Sequence, residues 1–171
     1  DVLSPRFSPP LVSVFTPTYH TGRRLYRAYQ SLRDQHYPEW EWVVLDDSED
    51  DVTWKLLEGI AADDPRVSIY RGRKSSVIGA LKAKLCGLCR GEILAEFDHD
   101  DELTPWCLGS VVEAMQAHPE SGFGYTDWCE VFEGGGNASY PAGWAFGYGS
   151  EEAEIYRNQL VITKRSPPLN G

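Results

Sequence analysis

The sequence predicts an α/β fold in which helices cover both faces of a mainly parallel sheet. The first reason is that short runs rich in β-branched and aromatic residues alternate with segments of helical periodicity. Such alternation is typical of parallel strands joined by crossover helices. The second reason is that polar clusters follow three predicted strands, as "TPTY", "DDSED" and "DHDD". In parallel sheets ligands bind beyond the carboxyl ends of the strands, so the three clusters predict one site.

The first two strands and the helix between them are predicted as follows. Residues 11–15 form a β-rich run, which we expect to end before Pro17 because proline cannot donate a ladder hydrogen bond. Residues 40–45 form the second strand and end on paired acids. A helix is predicted over residues 23–35, because its apolar residues fall at i, i+3, i+4 and i+7. They are Leu25, Ala28, Tyr29 and Leu32.

The later elements follow from the same patterns and complete one predicted domain over residues 1–171. With 42% hydrophobic residues, a chain of 171 residues can bury a single core. In chain order we expect helix 52–62, strand 67–70, helix 79–89, strand 92–97, a helix starting at Pro105 and ending before Pro119, and a strand in "GFGYTDWCEVF". The Gly-rich aromatic segment 133–150 predicts a loop.

Composition excludes several function classes. The chain has 26 acidic against 16 basic residues, a net charge of −10 and no basic block, so we do not expect nucleic acid as a partner. No apolar stretch approaches the roughly 20 residues of a membrane-spanning helix, and residues 1–10 lack the features of a signal peptide. We therefore expect a cytoplasmic location. The abrupt end at "KRSPPLNG" predicts a chain truncated on its C-terminal side.

The CxxC pair formed by Cys86 and Cys89 has the spacing of some metal and redox sites. A structural zinc site needs a second pair at matching spacing, and a redox pair belongs at the start of a helix after the first strand. Because this pair lies inside a helical pattern, we expect reduced structural thiols.

The crowded turn "DHDD" is the strongest chemical signal. Neighbouring carboxylates such as Asp98 and Asp100 raise each other's pKa unless a cation lies between them. Mg²⁺ and Mn²⁺ suit such oxygen ligands, and Mg²⁺ commonly binds one or two carboxylates together with substrate phosphates. The alternative is a solvated turn whose aspartates cap the next helix. In an extended segment His99 would point away from both carboxylates, which predicts a supporting role.

Two stretches resemble the inverting glycosyltransferases of family 2, which have the GT-A fold. "VSVFTPTYHTGRRLYRAYQSLRDQHYPEWEWVVLDDSEDD" is similar to the opening strand, helix and second strand of that family, with its "DDxSxD"-like turn altered to "DDSED". "IGALKAKLCGLCRGEILAEFDHDDELTPWCL" resembles the segment that leads to the Asp-x-Asp motif of the family. The resemblance covers residues 11–130 and rests on several motifs in the right order. It implies a transferase that uses a nucleotide-sugar donor, with a UDP-sugar expected, and a carbohydrate or other hydroxyl acceptor.

The resemblance also implies roles for individual residues. Asp47 would accept a hydrogen bond from the base, Asp98 would bind the ribose or the metal, and Asp100 would bind the Mn²⁺ or Mg²⁺ held by the diphosphate. The other implied donor-binding residues are Pro17, Thr18, Tyr19, Gly79 and Lys82, with Tyr19 able to stack on the base and Lys82 able to face phosphate.

The general base is less well defined by the sequence. Asp127, at the end of a predicted strand, is the candidate, followed by Glu151 and Glu152. The family usually has an acidic residue in a later "ED"-type sequence, for which this chain shows no clear equivalent. The alternative function is therefore a non-catalytic or incomplete nucleotide-sugar binding domain. Dinucleotide-binding and phosphatase folds are disfavoured, because "TPTYHTG" is not GxGxxG and the Asp-x-Asp follows the fourth strand.

Overall fold

The structure is a computed structural model that describes residues 8–74 and 77–126. It divides into two compact units, Asp1–Pro105 and Trp106–Gly171. The single domain over residues 1–171 stays a prediction. The described elements are β1 (Val12–Thr18), a 3₁₀ turn (Gly22–Arg24), α1 (Leu25–Arg33), β2 (Trp40–Asp46), α2 (Val52–Asp63), β3 (Val67–Arg71), α3 (Ile78–Cys86), β4 (Ile93–Glu96) and α4 (Cys107–Ala117).

The strands of the first unit form a parallel sheet in the order β3-β2-β1-β4. Val12 pairs with Trp40 of β2 and with Ile93 of β4, which fixes the register of both neighbours. Every residue of β1 and β2 is buried, so both faces at the centre of the sheet are covered. The predicted α/β class is confirmed.

The first strand differs from the prediction at its end, because β1 continues through Pro17 to Thr18. Thr18 accepts a hydrogen bond from Asp47 N at 2.9 Å, whereas Phe15 accepts one from Phe97 N at 3.2 Å. The backbone N–H and C=O groups of odd-numbered β1 residues therefore point toward β4. The pairing of β4 with β1 reaches only as far as Phe15. Pro17 lies beyond that point, where its missing N–H removes no ladder hydrogen bond.

The helix after β1 carries the predicted apolar stripe. Leu25, Ala28 and Leu32 are fully buried, and the Tyr29 ring stacks on Trp42 with 5.8 Å between centroids. This confirms the helix, although its first turn is a 3₁₀ turn and the α-helix ends at Arg33.

The helix before the acidic turn packs on the sheet through Leu81 and Leu85, which join a cluster of sheet residues. It ends at Cys86, three residues earlier than predicted, with Gly87 as its cap. Cys86 and Cys89 pack against this cluster and form no disulfide with each other.

A buried polar cluster fixes the start of β4 at the amino end of the sheet. Glu41, only 2% exposed, accepts hydrogen bonds from Ser13 Oγ at 2.6 Å and from Arg90 N and Nε at 2.7 Å each. Gly91 N donates to Ser13 Oγ at 2.7 Å. A Cβ atom on Gly91 would lie 2.6 Å from two backbone atoms, so only glycine allows this approach. The cluster holds the segment that leads into the acidic turn.

The described part of the second unit consists mainly of α4. This helix begins at Cys107, two residues later than predicted, and buries Cys107, Leu108 and Val112. Most of the strand predicted in "GFGYTDWCEVF" lies outside the described residues, as does the loop over residues 133–150. None of the helices in residues 8–74 and 77–126 combines the length and apolar character that a bilayer crossing requires.

Candidate functional site

A cleft of about 570 Å³ opens at the carboxyl edge of the sheet in the first unit. This volume lies within the range of small-molecule sites. The cleft lies beside the β1/β4 pair, where the strand order reverses, which is the position expected for a ligand in such sheets. Its lining residues are Pro17, Thr18, Tyr19, Asp47, Lys74, Ile78, Leu81, Lys82, Asp98, His99 and Asp100.

All but two of the predicted site residues therefore meet in one place. The exceptions are Gly79, which lies in the exposed first turn of α3 and does not line the cleft, and Asp127, which lies outside the described residues. Glu151 and Glu152 also lie outside them. The residue-by-residue roles stay predictions.

Asp46 is the last residue of β2 and Asp47 follows it, but their side chains have different surroundings. Asp46 is fully buried, and its Oδ1 accepts hydrogen bonds from Thr18 Oγ1 at 3.1 Å and from Ser48 Oγ at 2.6 Å. Ser48 N also donates to that oxygen at 3.2 Å, which makes Asp46 the residue that shapes the turn. Asp47 is 3% exposed and lines the cleft.

Gly72, just after β3, packs directly against the Asp47 carboxylate. Its N–H donates to Asp46 O at 2.7 Å, which continues the β2–β3 ladder past the strand ends. A Cβ atom on Gly72 would lie 2.3 Å from Asp47 Oδ1, far inside van der Waals contact. The carboxylate of Asp47 can occupy its observed position only because residue 72 has no side chain.

Tyr19 offers a ring at the mouth of the cleft. The side chain is 49% exposed and therefore does not serve as core packing. Its hydroxyl donates to Glu49 Oε1 at 3.4 Å, and its ring contacts the edge of His20 with 4.2 Å between centroids. An exposed, laterally held ring suits stacking on a planar base.

The acidic turn lines the other side of the cleft. The side chains of Asp98 and Asp100 are about half exposed, at 56% and 47%. Asp101 N donates to Asp98 O at 3.3 Å, which closes the turn. Burial, followed by the charges of Asp98 and Asp100, raises the pKa of Asp101. The crowding of negative charge inferred from the sequence is therefore present in the structure.

His99 differs from the expectation that it would point away from its neighbours. It lines the same cleft, with Nδ1 3.7 Å from Asp100 Oδ1. The alternation of side chains applies to extended strands, whereas β4 ends at Glu96 and residues 98–101 form a turn.

Lys82 lines the cleft but is already paired with a carboxylate. Its ammonium forms an ion pair with Glu96 and lies 3.9 Å from Asp98 Oδ1. The hydrogen bond to Glu96 raises the pKa of Lys82. Lys82 therefore lies beside the acidic turn, where it balances part of the negative charge.

The geometry fits a divalent ion that shares its ligands with a substrate. The described residues contain no group of three or more His, Cys, Asp or Glu side chains arranged to enclose a metal. Asp98 and Asp100 instead offer two exposed carboxylates on the cleft wall. Mg²⁺ commonly takes one or two protein carboxylates and completes its shell with phosphate oxygens and water.

The roles of Lys74 and Gly72 at the site were missed by the sequence reasoning. Lys74 follows the carboxyl end of β3, and the rule that locates ligands at strand ends applies to it as it does to Asp47. The close approach of Gly72 to Asp47 has no signal in one sequence, because it depends on how two loops meet.

The parallel sheet and the cleft at its switch point define a GT-A-type α/β domain. The chain belongs to glycosyl transferase family 2, whose family model matches residues 13–158. Among curated relatives, it is 32% identical over 98 residues to the putative colanic acid biosynthesis glycosyl transferase WcaA of Escherichia coli, covering 56% of this chain and 34% of that protein. It is 35% identical over 128 residues to an uncharacterised protein of Sinorhizobium fredii, covering 74% of this chain and 14% of that protein.

Solved structures agree with the family. TarS 1–349 of S. aureus in complex with UDP-GlcNAc has a TM-score of 0.58 and 25% identity, covering 64% of this chain and 32% of that one. The mannosyltransferase PcManGT of Pyrobaculum calidifontis, in complex with GDP-Man and Mn²⁺, has a TM-score of 0.58 and 20% identity, covering 69% of this chain and 35% of that one. This chain spans about a third or less of the length of WcaA and of the Sinorhizobium fredii protein.

Proposed function

We propose that this chain binds a nucleotide-sugar through a divalent metal and takes part in transfer of the sugar, with inversion, to a hydroxyl acceptor. The observation that carries the proposal is the cleft, which brings together Tyr19, Asp47, Asp98 and Asp100 from three strand ends. Membership of glycosyl transferase family 2 supports the reaction class. The complex of TarS with UDP-GlcNAc supports a UDP-sugar as the donor.

The base and ribose of the donor would bind at the β1 and β2 ends. Tyr19 presents its exposed ring for stacking, and the buried Asp47 carboxylate accepts a hydrogen bond from an N–H of the base. Uracil N3–H is such a donor. The hydrogen bond from Asp47 N to Thr18 O joins the carboxyl ends of β1 and β2. The backbone beside the Tyr19 and Asp47 side chains is therefore fixed before the donor binds.

The diphosphate would lie toward the acidic turn. Asp98 and Asp100 would hold Mn²⁺ or Mg²⁺, and an ion bound there neutralises charge on the departing nucleoside diphosphate. The Mn²⁺ in the mannosyltransferase complex supports this assignment. Lys82, paired with Glu96 beside Asp98, offsets part of the negative charge of the turn.

The transfer step also needs a general base for the acceptor hydroxyl. We assign this role to Asp127, at the end of the strand predicted from the sequence. The acceptor itself is a carbohydrate or another hydroxyl compound.

Calorimetric titration of UDP in the presence of Mn²⁺, and again with a chelator, tests the donor site. We expect binding that needs the metal and is lost in Asp100→Asn, because one of two carboxylate ligands is then neutral. Asp63→Asn is the matched control, since Asp63 is an exposed aspartate at the end of α2 and does not line the cleft. Equal binding with and without metal contradicts the metal assignment, and absence of UDP binding contradicts the donor site. Release of free sugar from UDP-sugars then identifies the donor.

A further inference from the structure

Glu49, in the altered "DDSED" turn after β2, links its own loop to the loops after β1 and β3 at the carboxyl ends of the strands. Its Oε1 accepts a hydrogen bond from Tyr19 OH at 3.4 Å and forms an ion pair with Lys74. Its Oε2 lies 2.9 Å from His20 Nε2. Tyr19 and His20 follow β1, Glu49 follows β2, and Lys74 follows β3. A single carboxylate therefore links side chains that the chain delivers from separate strands.

Two of the partners of Glu49 line the cleft, whereas Glu49 itself does not. Tyr19 and Lys74 belong to the lining residues, and the side chain of Lys74 is 66% exposed. Side chains this exposed keep most of their rotamer freedom unless another group holds them. Glu49 lies behind them and supplies that restraint without touching the space a ligand would occupy.

The backbone of these loops supports the same view. His20 has φ +48° and Lys74 has φ +30°, both in the left-handed region that residues with side chains rarely adopt. Such conformations persist where surrounding contacts determine them, and they cluster at ligand sites. His20 is held by Glu49 and also by Asp50, whose Oδ2 lies 2.9 Å from Nδ1, and its N–H donates to Ser48 Oγ at 2.9 Å.

We propose that Glu49 is a positioning residue for nucleobase selectivity, which fixes the Tyr19 ring and the Lys74 ammonium beside Asp47 as one surface for the base. This proposal rests on the proposed donor site. An ammonium next to a carboxylate matches a base edge that offers a carbonyl oxygen next to an N–H. Uracil presents this pair. Cytosine presents an amino group next to an unprotonated ring nitrogen, which reverses both partners.

The contacts of Glu49 with Tyr19 and Lys74 are called the Glu49 clamp. Glu49 and Lys74 are both charged near neutral pH, so the clamp keeps its ion pair there. The Lys74 hydrogen bond holds the pKa of Glu49 at about 2, and Glu49 in turn raises the pKa of Lys74. The charge of Asp47 also raises the pKa of Lys74, which agrees with their shared position on the cleft wall.

Two measurements on Glu49→Gln test the proposal. The first needs no nucleotide: NMR titration of ¹³C-methylated lysines, with the Lys74 signal assigned by Lys74→Arg, should show a lower Lys74 pKa in the variant. The second compares UDP and CDP binding with Mn²⁺ by calorimetry. Exposed ion pairs contribute modestly, so we expect UDP to bind roughly two- to fivefold more weakly, and the ratio of UDP to CDP affinity to fall by a similar factor. Binding of inorganic diphosphate with Mn²⁺ should not change.

Glu58→Gln is the control, because Glu58 is an exposed α2 carboxylate bound to Trp54 Nε1 at 2.8 Å and outside the cleft. An unchanged Lys74 pKa in Glu49→Gln overturns the clamp. A lowered pKa with an unchanged ratio of UDP to CDP affinity overturns the role in selectivity. If wild-type chain binds neither nucleotide while the Lys74 pKa still falls, the proposed donor site fails and the selectivity role fails with it, although the clamp itself exists.

Discussion

Replacement of Gly72 by alanine tests whether Asp47 recognises the base. The new Cβ would lie 2.3 Å from Asp47 Oδ1, and normal contact begins at about 3.4 Å, so the oxygen must move by about 1 Å. The new Cβ can hardly move away from Asp47 instead, because it would also lie 3.2 Å from Asp46 O of the backbone. A hydrogen bond to a charged group contributes about 1.5–3 kcal/mol, so loss of the Asp47 contact should weaken UDP binding about 10- to 100-fold.

Calorimetric titration with UDP and Mn²⁺ measures this change, and thermal unfolding shows whether the variant is folded. Gly59→Ala is the matched control, because Gly59 is an exposed α2 residue whose Cβ would meet nothing within 4 Å. Binding of inorganic diphosphate should be the same in both variants. A folded Gly72→Ala chain that binds UDP as tightly as wild type would refute the assignment of Asp47 to the base, as would an equal loss of diphosphate binding.

Three further predictions concern stability, and urea unfolding measures each. Arg66 holds the pKa of Asp64 at about 2, below its ordinary 3.8, so Asp64→Asn should cost about 2 kcal/mol at pH 7. That difference is fully present above about pH 4 and should vanish as pH falls through about 2; a loss independent of pH would contradict it. Gly91→Ala should prevent stable folding, because backbone atoms lie 2.6 Å from the new Cβ; a native-like midpoint would contradict this. Leu85→Ala should cost about 2–5 kcal/mol, because Leu85 is fully buried between α3 and the sheet; a loss below about 1 kcal/mol would mean that the cluster is not tightly packed.

The order and type of the elements could be predicted because the spacing of apolar residues along the chain reflects which face of each helix or strand is buried. The apolar stripe of α1 and the apolar run at the centre of β2 are examples, and both are buried in the structure. Element ends were less predictable, since they depend on neighbours. β1 passes through Pro17 only because β4 stops pairing at Phe15. α3 ends at Cys86, where Gly87 is the C-cap; this glycine was a helix-stop signal that the prediction did not use.

The candidate site was predictable where a residue directly follows a strand, as with Asp47 and Asp98. It was not predictable where the role depends on two loops meeting. His99 was placed wrongly because the argument assumed an extended segment, whereas residues 98–101 form a turn. Glu49 and Gly72 act through residues distant in sequence, so a single sequence offers no pattern for them.

The two sides of the cleft differ in how completely the protein prepares them. At the base side, backbone hydrogen bonds continue past the strand ends, from Asp47 N to Thr18 O and from Gly72 N to Asp46 O, so the buried Asp47 is held before any ligand arrives. At the acidic turn, Asp98 and Asp100 are half exposed, and burial, followed by the charges of these two residues, raises the pKa of Asp101. A cation bound there, as proposed, would offset the negative charge of the turn. In the proposed donor complex the base therefore meets a fixed surface, whereas the metal and the diphosphate complete each other's binding site.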